Sequence, residues 1–320
     1  MPLRWLPLAC AAALLSGGIC AVAVAQTYPI KPIRVVTSSI GGGNDLATRI
    51  IAQALSPALG QPVVVDNRHN DIPGELVKHA APDGYTLLVA GSSHWLLPYL
   101  RTHVPFDPVK DYAPITLAVR SPNVIVTHPA LPVTSTADLV TLAKAKPGVL
   151  NYASGSTGSS NHLAAELFKS MAQVDIVRIA YKGSAPALTA TISNEVQLMF
   201  GNTGAVMSHV RARRLKAIAV TSAEPTELAP DLPTVRSTGL PGYEATTMYG
   251  FFAPAHTPGS VIERLNREIV RALRRTDIKE RFFTAGVETV GSTPQQLTDA
   301  MRSEMSTLGR LIVDKGIRDE

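Results

Sequence analysis

The sequence has 320 residues and a formal net charge of +5, with 45% hydrophobic and 17% charged residues. Arginines cluster at residues 211–214 and 264–275, but no aromatic residues are interleaved with them and no nucleic-acid-reading motif accompanies them. Nucleic-acid binding is therefore not expected. The length is sufficient for two domains of ordinary size.

The first 25 residues have the features of an export signal. A short basic start precedes an apolar stretch, Leu6–Val24, and Ala23-Val24-Ala25 forms a small-residue cleavage site. We therefore predict cleavage before Gln26; a retained membrane anchor is disfavoured because small residues interrupt the apolar stretch. No later apolar run approaches the roughly 18 residues that a membrane span requires, so we expect a soluble mature protein. Both cysteines lie in this segment, Cys10 and Cys20, so the mature core would have to be stable without disulfides.

The first half of the mature chain alternates strands and helices. An amphipathic helix is predicted over Asp45–Leu59. The long extended run Ile115–Thr127 is interrupted by Pro122, which is typical of a strand that passes between domains. Short runs of apolar and β-branched residues predict three buried strands: Ile33–Thr37, Pro62–Asp66 and Thr86–Ala90.

The second half continues the alternation until the C-terminal region, which is mostly helical. We interpret Thr247–Ala253 as a strand that crosses back between the domains. The other predicted strands are Val149–Ala153, Asp175–Ala180, Val196–Phe200 and Leu215–Thr221. The predicted helices are Thr136–Lys146, Leu163–Met171, Ala185–Ser193, Pro258–Arg275 and Thr293–Asp314, the last two opening on Thr-Pro pairs. This order favours parallel sheets with crossover helices.

Five loops of small polar residues each follow a predicted strand. They cover residues 38–44, 91–94, 154–160, 181–184 and 201–204. In open α/β sheets, ligands bind at the carboxyl ends of the strands. Two such sheets that face each other across two crossing strands would gather the loops into one cleft. The alternative is five unrelated surface turns.

The loop at residues 154–160 has the composition of an anion site. Its glycines allow positive φ and close approach of the backbone, and its hydroxyls can donate and accept hydrogen bonds. The helix that follows would add free N–H groups and a partial positive charge. This segment therefore predicts an anion cradle without a fixed cation; the alternative is an ordinary capped turn.

The motifs of common enzymes are missing from the sequence. It contains no G-x-S-x-G elbow, no S-x-x-K and no P-loop, and the glycines at 41–43 do not continue to Leu46 as a dinucleotide motif requires. His162 and Glu166 are spaced four apart, but two residues make an incomplete metal site. His94 could bind ligand, act as a base or pack in the interior. We expect no cofactor, no metal and no catalysis.

The chain resembles the Bug-type periplasmic substrate-binding proteins of tripartite tricarboxylate transporters. The resemblance spans nearly the whole mature chain and is carried by Tyr28–Ile33, Leu59–Val65, Ala81–Leu88, Asp107–Asp111, Leu150–Gly155, Tyr181-Lys182-Gly183 and Leu240–Glu244. It implies an α/β fold, a two-domain clam-shell of the type II-like periplasmic-binding-protein kind with two parallel-core sheets joined by two crossing strands. It also implies a periplasmic monomer that holds a small carboxylate with amides, hydroxyls and waters and delivers it to inner-membrane permease subunits.

Three segments depart from the family pattern. Thr37–Ile40 replaces a Pro-Phe-Pro-Pro sequence, His69–Gly74 replaces a glycine-rich segment, and Gly201-Asn202 stands where Asp-Asn is frequent. These changes affect the expected binding site, so a dicarboxylate, an aromatic carboxylate and an amino acid all remain possible ligands.

These observations give a complete hypothesis. Residues 1–25 are the signal peptide, residues 26–123 and 247–320 form domain 1, and residues 124–246 form domain 2. The predicted ligand contacts are Ser38, Ser39, Gly41, Gly42, Ser92, Ser93, His94, Ser154, Gly155, Thr157, Gly158, Tyr181, Gly201 and Asn202. Two alternatives are a secreted serine hydrolase that uses a loop serine with His94 or His162 and a scaffold or adhesin without a ligand.

Overall fold

The computed structural model describes residues 28–41, 43–69 and 72–319. The predicted signal peptide, its cleavage site before Gln26 and both cysteines lie outside the described residues. Among the helices in the described ranges, none combines the length and hydropathy needed to cross a bilayer.

Most of the predicted elements are present with small shifts at their ends. The strands are β1 Ile33–Thr37, β2 Val63–Asn67, β3 Thr86–Gly91, β4 Tyr112–Thr127, β5 Asn151–Ser154, β6 Val177–Ala180, β7 Leu198–Asn202, β8 Lys216–Val220, β9 Thr246–Pro254 and β10 Glu288–Thr289. The helices are α1 Gly43–Leu59, α2 Ile72–Lys78, α3 Ser92–Leu100, α4 Thr136–Ala145, α5 Ser160–Ala172, α6 Ser184–Ile192, α7 Thr203–Arg211, α8 Gly259–Leu273, α9 Thr276–Thr284, α10 Pro294–Glu304 and α11 Arg310–Asp314, with a π-helical turn at Met305–Gly309.

Two predicted loops prove to be helix starts. α3 begins at Ser92, directly after the last residue of β3, and α7 begins at Thr203, directly after β7. Residues 91–94 and 201–204 were predicted as loops, whereas the chain passes from strand to helix there without a connecting segment. Thr293 caps α10 and Pro294 lies in its first turn, as predicted, and Gln296 completes a capping box there. The predicted cap Thr257 instead donates its hydroxyl to Pro254 O, and Pro258 is the N-cap of α8.

The strands follow the order β2-β1-β3-β9-β4-β7-β5-β6, and β8 and β10 pair with β4. β1 is parallel to β2 and β3, and β5 is parallel to β6 and β7. β9 is antiparallel to both β3 and β4. The two parallel groups are thus separated by long antiparallel strands.

β4 connects the two halves of this arrangement. It pairs with β9 from Tyr112 to Pro122, and with β7 and β8 from Asn123 onward. The change of partner therefore occurs at Pro122, the proline that predicted a strand between domains. Thr221 fixes this point, since its Oγ1 accepts from the Asn123 N–H at 2.8 Å and donates to Ala245 O at 2.8 Å.

Separate hydrophobic cores lie on the two sides of this crossing. One joins β1, β3 and β9 to α1 and α8, through residues such as Val35, Ile51 and Leu265. Another packs β5 and β7 against α6, through residues such as Ala153 and Ala187. The largest cluster includes Trp95 and Phe168 and extends across both sides. The strand ends near the crossing are therefore held by packed elements on each side.

Candidate functional site

A cavity of about 240 Å³ lies where the end of β3 and the start of β9 face the start of α5. Its described lining consists mostly of small polar residues and backbone, with a few apolar side chains. The lining residues are Ser38, Gly43, Asn44, Gly91, Ser92, Ser93, Leu96, Gly158, Ser159, Ser160, Leu163, Ala164, Ala245, Thr246, Thr247, Tyr249, Glu304 and Leu308. No lysine, arginine or histidine occurs among these described residues.

Three helix N-termini meet at this cavity. Its wall contains the first residues of α1 and α3 and the residues immediately before and at the start of α5. The first N–H groups of a helix have no acceptor within the helix, and the helix dipole places partial positive charge there. Gly91, the N-cap of α3, has no side chain, and the Ser159 hydroxyl at α5 lies 2.6 Å from Ser156 O and Asn161 Oδ1 instead of capping. The cap residues of α3 and α5 therefore leave backbone N–H groups at these helix starts free of a cap side chain, which suits an anion in the cavity.

Gly158 has a conformation that requires glycine. Its φ is +75°, and a Cβ at this position would lie 2.7 Å from Leu100 Cδ1. Its N–H donates to His162 Nδ1 at 3.1 Å. Burial, together with the nearby Arg178 guanidinium, lowers the pKa of His162 to about 4, which keeps the ring neutral and able to accept. The Gly158 N–H therefore holds the loop in position. Gly158 has no side chain, so it lines the cavity with its backbone atoms.

The predicted cradle is displaced toward the start of α5. Ser154, Gly155 and Thr157 lie outside the cavity lining because they bind Arg178. Arg178 Nε donates to Ser154 Oγ at 2.7 Å, and its two terminal nitrogens donate to Gly155 O at 3.0 Å and Thr157 Oγ1 at 3.3 Å. This guanidinium on β6 therefore holds the loop in place. The expectation that the anion is bound without a basic side chain stays a prediction. Of the predicted residues on this side, Gly158 reaches the cavity.

Two buried polar atoms in the lining have no hydrogen-bond partner among the described residues. They are Asn44 Oδ1 and Thr246 Oγ1. Asn44 Nδ2 donates to Ser38 Oγ at 3.1 Å, which orients the amide. Leaving a buried polar atom unpaired costs about 1–3 kcal/mol, so such atoms are rare unless something else satisfies them. The Thr246 hydroxyl can therefore donate to an anion in the cavity, whereas Asn44 Oδ1 can only accept from a donor group.

Glu304 is the single acidic side chain in the described lining. Its Oε2 accepts from Trp95 Nε1 at 2.6 Å, and Ser92 also hydrogen-bonds to it. Burial raises the pKa of Glu304 to about 7, although the two hydrogen bonds act in the opposite direction. Glu304 therefore changes its charge near neutral pH.

The sequence model of the "Tripartite tricarboxylate transporter family receptor" matches residues 47–317. The chain belongs to this receptor family. It is 33% identical to protein BugT of Bordetella pertussis over 95% of both chains. Among solved structures, it is 31% identical to the R. palustris protein Rpa4515 with adipate, with a TM-score of 0.75 over 91% of this chain and 99% of the other. It is 26% identical to MatC of Rhodopseudomonas palustris with bound malate, with a TM-score of 0.72 over 89% of this chain and 100% of the other.

Membership of the family confirms several predictions. The receptor is a Bug-type substrate-binding protein, and the similarity to Rpa4515 over nearly the whole chain confirms the predicted two-domain clam-shell fold. The family consists of receptors and not of enzymes, as the missing motifs predicted. In the described part of the receptor, Ser39 Oγ and His69 Nδ1 lie 2.9 Å apart, but this pair is exposed and no carboxylate there bonds to His69. A hydrolase triad would need such an acid.

The predicted residues on the domain 1 side divide into two groups. Ser38, Ser92 and Ser93 line the cavity of the receptor. Ser39 is bonded to His69, and the Gly41 N–H donates to Asp45 Oδ2 at 2.9 Å, so neither faces the cavity. Gly42 lies outside the described residues.

His94 is a packed histidine in this structure. Its ring stacks on Phe106 at a centroid distance of 4.3 Å and meets Tyr112 edge-on at 5.3 Å. It lies outside the cavity lining because it follows Ser93 on α3 and points to the other side of the helix, against Gly74. Burial lowers the pKa of His94 to about 3, which keeps the ring neutral. Of the three predicted possibilities, the structure favours packing.

The three residues predicted to line the floor of the site, Tyr181, Gly201 and Asn202, lie outside the cavity lining. The Tyr181 hydroxyl donates to Glu195 Oε1 at 3.2 Å. Asn202 caps α7 by accepting from the Gly204 N–H at 3.0 Å and donates to Ser121 Oγ at 2.5 Å. A Cβ on Gly201 would meet Val206, so this glycine allows α7 to pack on β7. None of the three lines the cavity, because their local hydrogen bonds and packing hold them against other elements.

The start of β9 and the C-terminal helix α10 also line the cavity, and neither was predicted from the sequence. Thr246, Thr247 and Tyr249 line the cavity because β9 is antiparallel to β3, which places the start of β9 beside the end of β3 at the Gly91–Tyr249 pair. The Thr-Thr pair at the start of a crossing strand was an available signal. No feature of the sequence distinguished Glu304 from other acidic residues on an amphipathic helix.

Proposed function

We propose that this receptor captures a small organic carboxylate in the cavity and delivers it to the inner-membrane permease subunits of a tripartite tricarboxylate-type transporter. The observation that carries this proposal is the convergence of three helix N-termini on a cavity whose described lining contains no basic side chain. Related structures hold adipate and malate, which are dicarboxylates. The structure and the relatives therefore support the same chemical class of ligand.

The proposed contacts are fewer than the sequence predicted, and some are new. They are Ser38, Asn44, Ser92, Ser93, Ser159, Ser160, Thr246 and Thr247, which all line the cavity. Gly158 also lines the cavity, but its N–H already donates to His162 Nδ1. A charge-assisted hydrogen bond contributes about 1.5–3 kcal/mol. A few such bonds give useful affinity after the cost of ordering the ligand. Without a salt bridge to break, the ligand remains easy to release to a permease.

The proposed lobes are those predicted from the sequence: residues 26–123 with 247–320, and residues 124–246. Two features support this division. β4 changes its partners between Pro122 and Asn123, and β9 begins at Thr246. The cavity has lining residues from both proposed lobes. Closure of the lobes on a bound carboxylate is therefore part of the proposal.

The proposed location is the periplasm, after cleavage before Gln26. Expression in a Gram-negative host, release of the periplasmic fraction by osmotic shock and N-terminal sequencing would test this directly. The proposal expects the full-length precursor to yield a mature chain that begins at Gln26. A chain that stays in the membrane fraction and still carries residues 1–25 would contradict it.

Binding is tested with the purified mature protein and a panel of adipate, malate, benzoate and glutamate in a thermal-shift assay. A ligand that binds only the folded protein stabilises it by about 2.7 kcal/mol at 100 times its Kd, so at least one acid should raise the Tm. Adipamide, the neutral diamide of adipate, is the matched control and should not raise it. Equal stabilisation by the diamide, or no stabilisation by any acid, would contradict the proposal.

A further inference from the structure

An acidic side chain in an anion-binding cavity requires an explanation. Glu304 lines the same cavity as the starts of α1, α3 and α5, and no basic side chain in the described lining neutralises it. If Glu304 is ionised, it repels a ligand carboxylate placed beside it. This inference rests on the proposed function and concerns the second carboxylate of a dicarboxylate ligand.

The hydrogen bonds around Glu304 leave it free to carry a proton. Trp95 Nε1 is a donor only, so it occupies Oε2 but cannot accept from it. Ser92 Oγ already accepts from the Met248 N–H at 3.2 Å, which directs the Ser92 O–H toward Glu304. Both neighbours therefore donate to this carboxyl group. The Glu304 side chain lines this cavity and also a second cavity of about 210 Å³ beside Glu244.

The charged surroundings of Glu304 favour uptake of a proton. The acidic neighbour is Glu244, which is exposed and repels a charge on Glu304. Tyr249 lines the same cavity, and burial raises the pKa of its hydroxyl, so it is neutral near pH 7. Burial is the largest effect and raises the pKa of Glu304 to about 7. An entering anion adds negative charge and raises this pKa further.

We propose that Glu304 takes up a proton from solvent when a dicarboxylate binds, and donates that proton as an O–H hydrogen bond to one of the ligand's carboxylate groups. The helix N-termini hold the other carboxylate. No covalent bond forms or breaks in the ligand. Glu304 is thus a specificity-determining residue that selects a ligand with a second hydrogen-bond-accepting acid group.

The direction of the pH dependence follows from this assignment. The form of the receptor that binds the dicarboxylate carries the proton on Glu304. The affinity is therefore highest below the pKa of Glu304 in the free protein, about 7, and falls as the pH rises above it. For a group with this pKa, the protonated fraction falls roughly 25-fold between about pH 6.5 and about pH 8.5. The apparent Kd for a dicarboxylate should rise by the same factor. A ligand with an ammonium group at Glu304 would show the opposite dependence.

Titration calorimetry with adipate and with malate tests this at about pH 6.5 and about pH 8.5. Each pH is measured in two buffers of different ionisation enthalpy, so that proton uptake appears as a buffer-dependent heat. The wild type should lose affinity roughly 25-fold and take up close to one proton per ligand at the higher pH. In Glu304→Gln, whose amide donates permanently, affinity should be similar at both pH values with no uptake. This variant also controls for protonation of the ligand itself.

Glu244→Gln is the matched control. It removes the neighbouring charge without changing the cavity lining. The pH at which dicarboxylate affinity begins to fall should therefore be lower, while the affinity at low pH stays the same. This shift keeps the inference testable even if Glu304→Gln does not fold. Equal wild-type affinity at both pH values without proton uptake would overturn the inference and leave the proposed function intact. Failure of every carboxylate to bind at about pH 6.5 would overturn the proposed function itself.

Discussion

The Thr246 hydroxyl gives the sharpest test of where the ligand binds. Thr246 Oγ1 is buried in the cavity lining without a hydrogen-bond partner among the described residues. Thr246→Val keeps the shape of the side chain and removes this hydroxyl. Removing an unpaired buried polar group recovers about 1–3 kcal/mol, so the free energy of unfolding of the ligand-free protein should increase by up to that amount. If the hydroxyl donates to a carboxylate, affinity should fall by about 1.5–3 kcal/mol, or roughly 10- to 150-fold.

Thr127→Val is the matched control for this prediction. Thr127 Oγ1 is also buried without a partner in the described structure, but it lies at the far end of β4 and outside the cavity. In urea unfolding, both variants should show a similar increase in the free energy of unfolding. Titration with adipate should show weaker binding for Thr246→Val alone. The reasoning is refuted if Thr246→Val binds as the wild type does, or if it is less stable while Thr127→Val is more stable.

Three further predictions concern the loop before α5. Gly158→Ala forces an L-residue to a φ of +75° and against Leu100; it should lower the free energy of unfolding by about 1–2 kcal/mol in urea and weaken adipate binding, and unchanged values for both would argue against the assigned geometry. Arg178→Met removes three hydrogen bonds to the loop and should cost on the order of 3 kcal/mol of stability; abolished binding at unchanged stability would instead make Arg178 a ligand contact. The pKa of His162 is lowered to about 4 by burial, so the unfolded state binds the proton more tightly. The contribution of neutral His162 to the free energy of unfolding should be fully present above about pH 6.5. It should fall by on the order of 3 kcal/mol toward pH 4. His162→Asn should flatten this slope in a pH series of urea unfolding, and a slope equal to that of the wild type would contradict the assignment.

Local signals predicted the elements of the fold well. β1 has the predicted bounds, because a short run of β-branched residues between turn residues favours a strand over a helix. The starts of α4 and α10 follow from capping boxes that lie within a few residues of sequence. Pro122 marked the point where β4 changes partners. Each of these features depends on neighbours in the chain, which a single sequence displays.

The site was predicted less completely because it depends on contacts between distant residues. Composition indicated the loop at residues 154–160, but the hydrogen bonds of Arg178 to that loop depend on the pairing of β5 with β6. Thr246 reaches the cavity through the antiparallel register of β9 with β3. Glu304 lies 209 residues from its partner Trp95 in the chain. Such pairings are set by tertiary packing, and no spacing in the sequence reveals them.

A crystal structure of the mature protein with adipate tests the central claim most directly. The account predicts that one carboxylate accepts hydrogen bonds from N–H groups at the starts of α3 and α5, at about 2.7–3.2 Å, with Thr246 in contact with the ligand. It would be contradicted by a carboxylate paired with Arg178 or another basic side chain, or by a ligand bound outside this cavity.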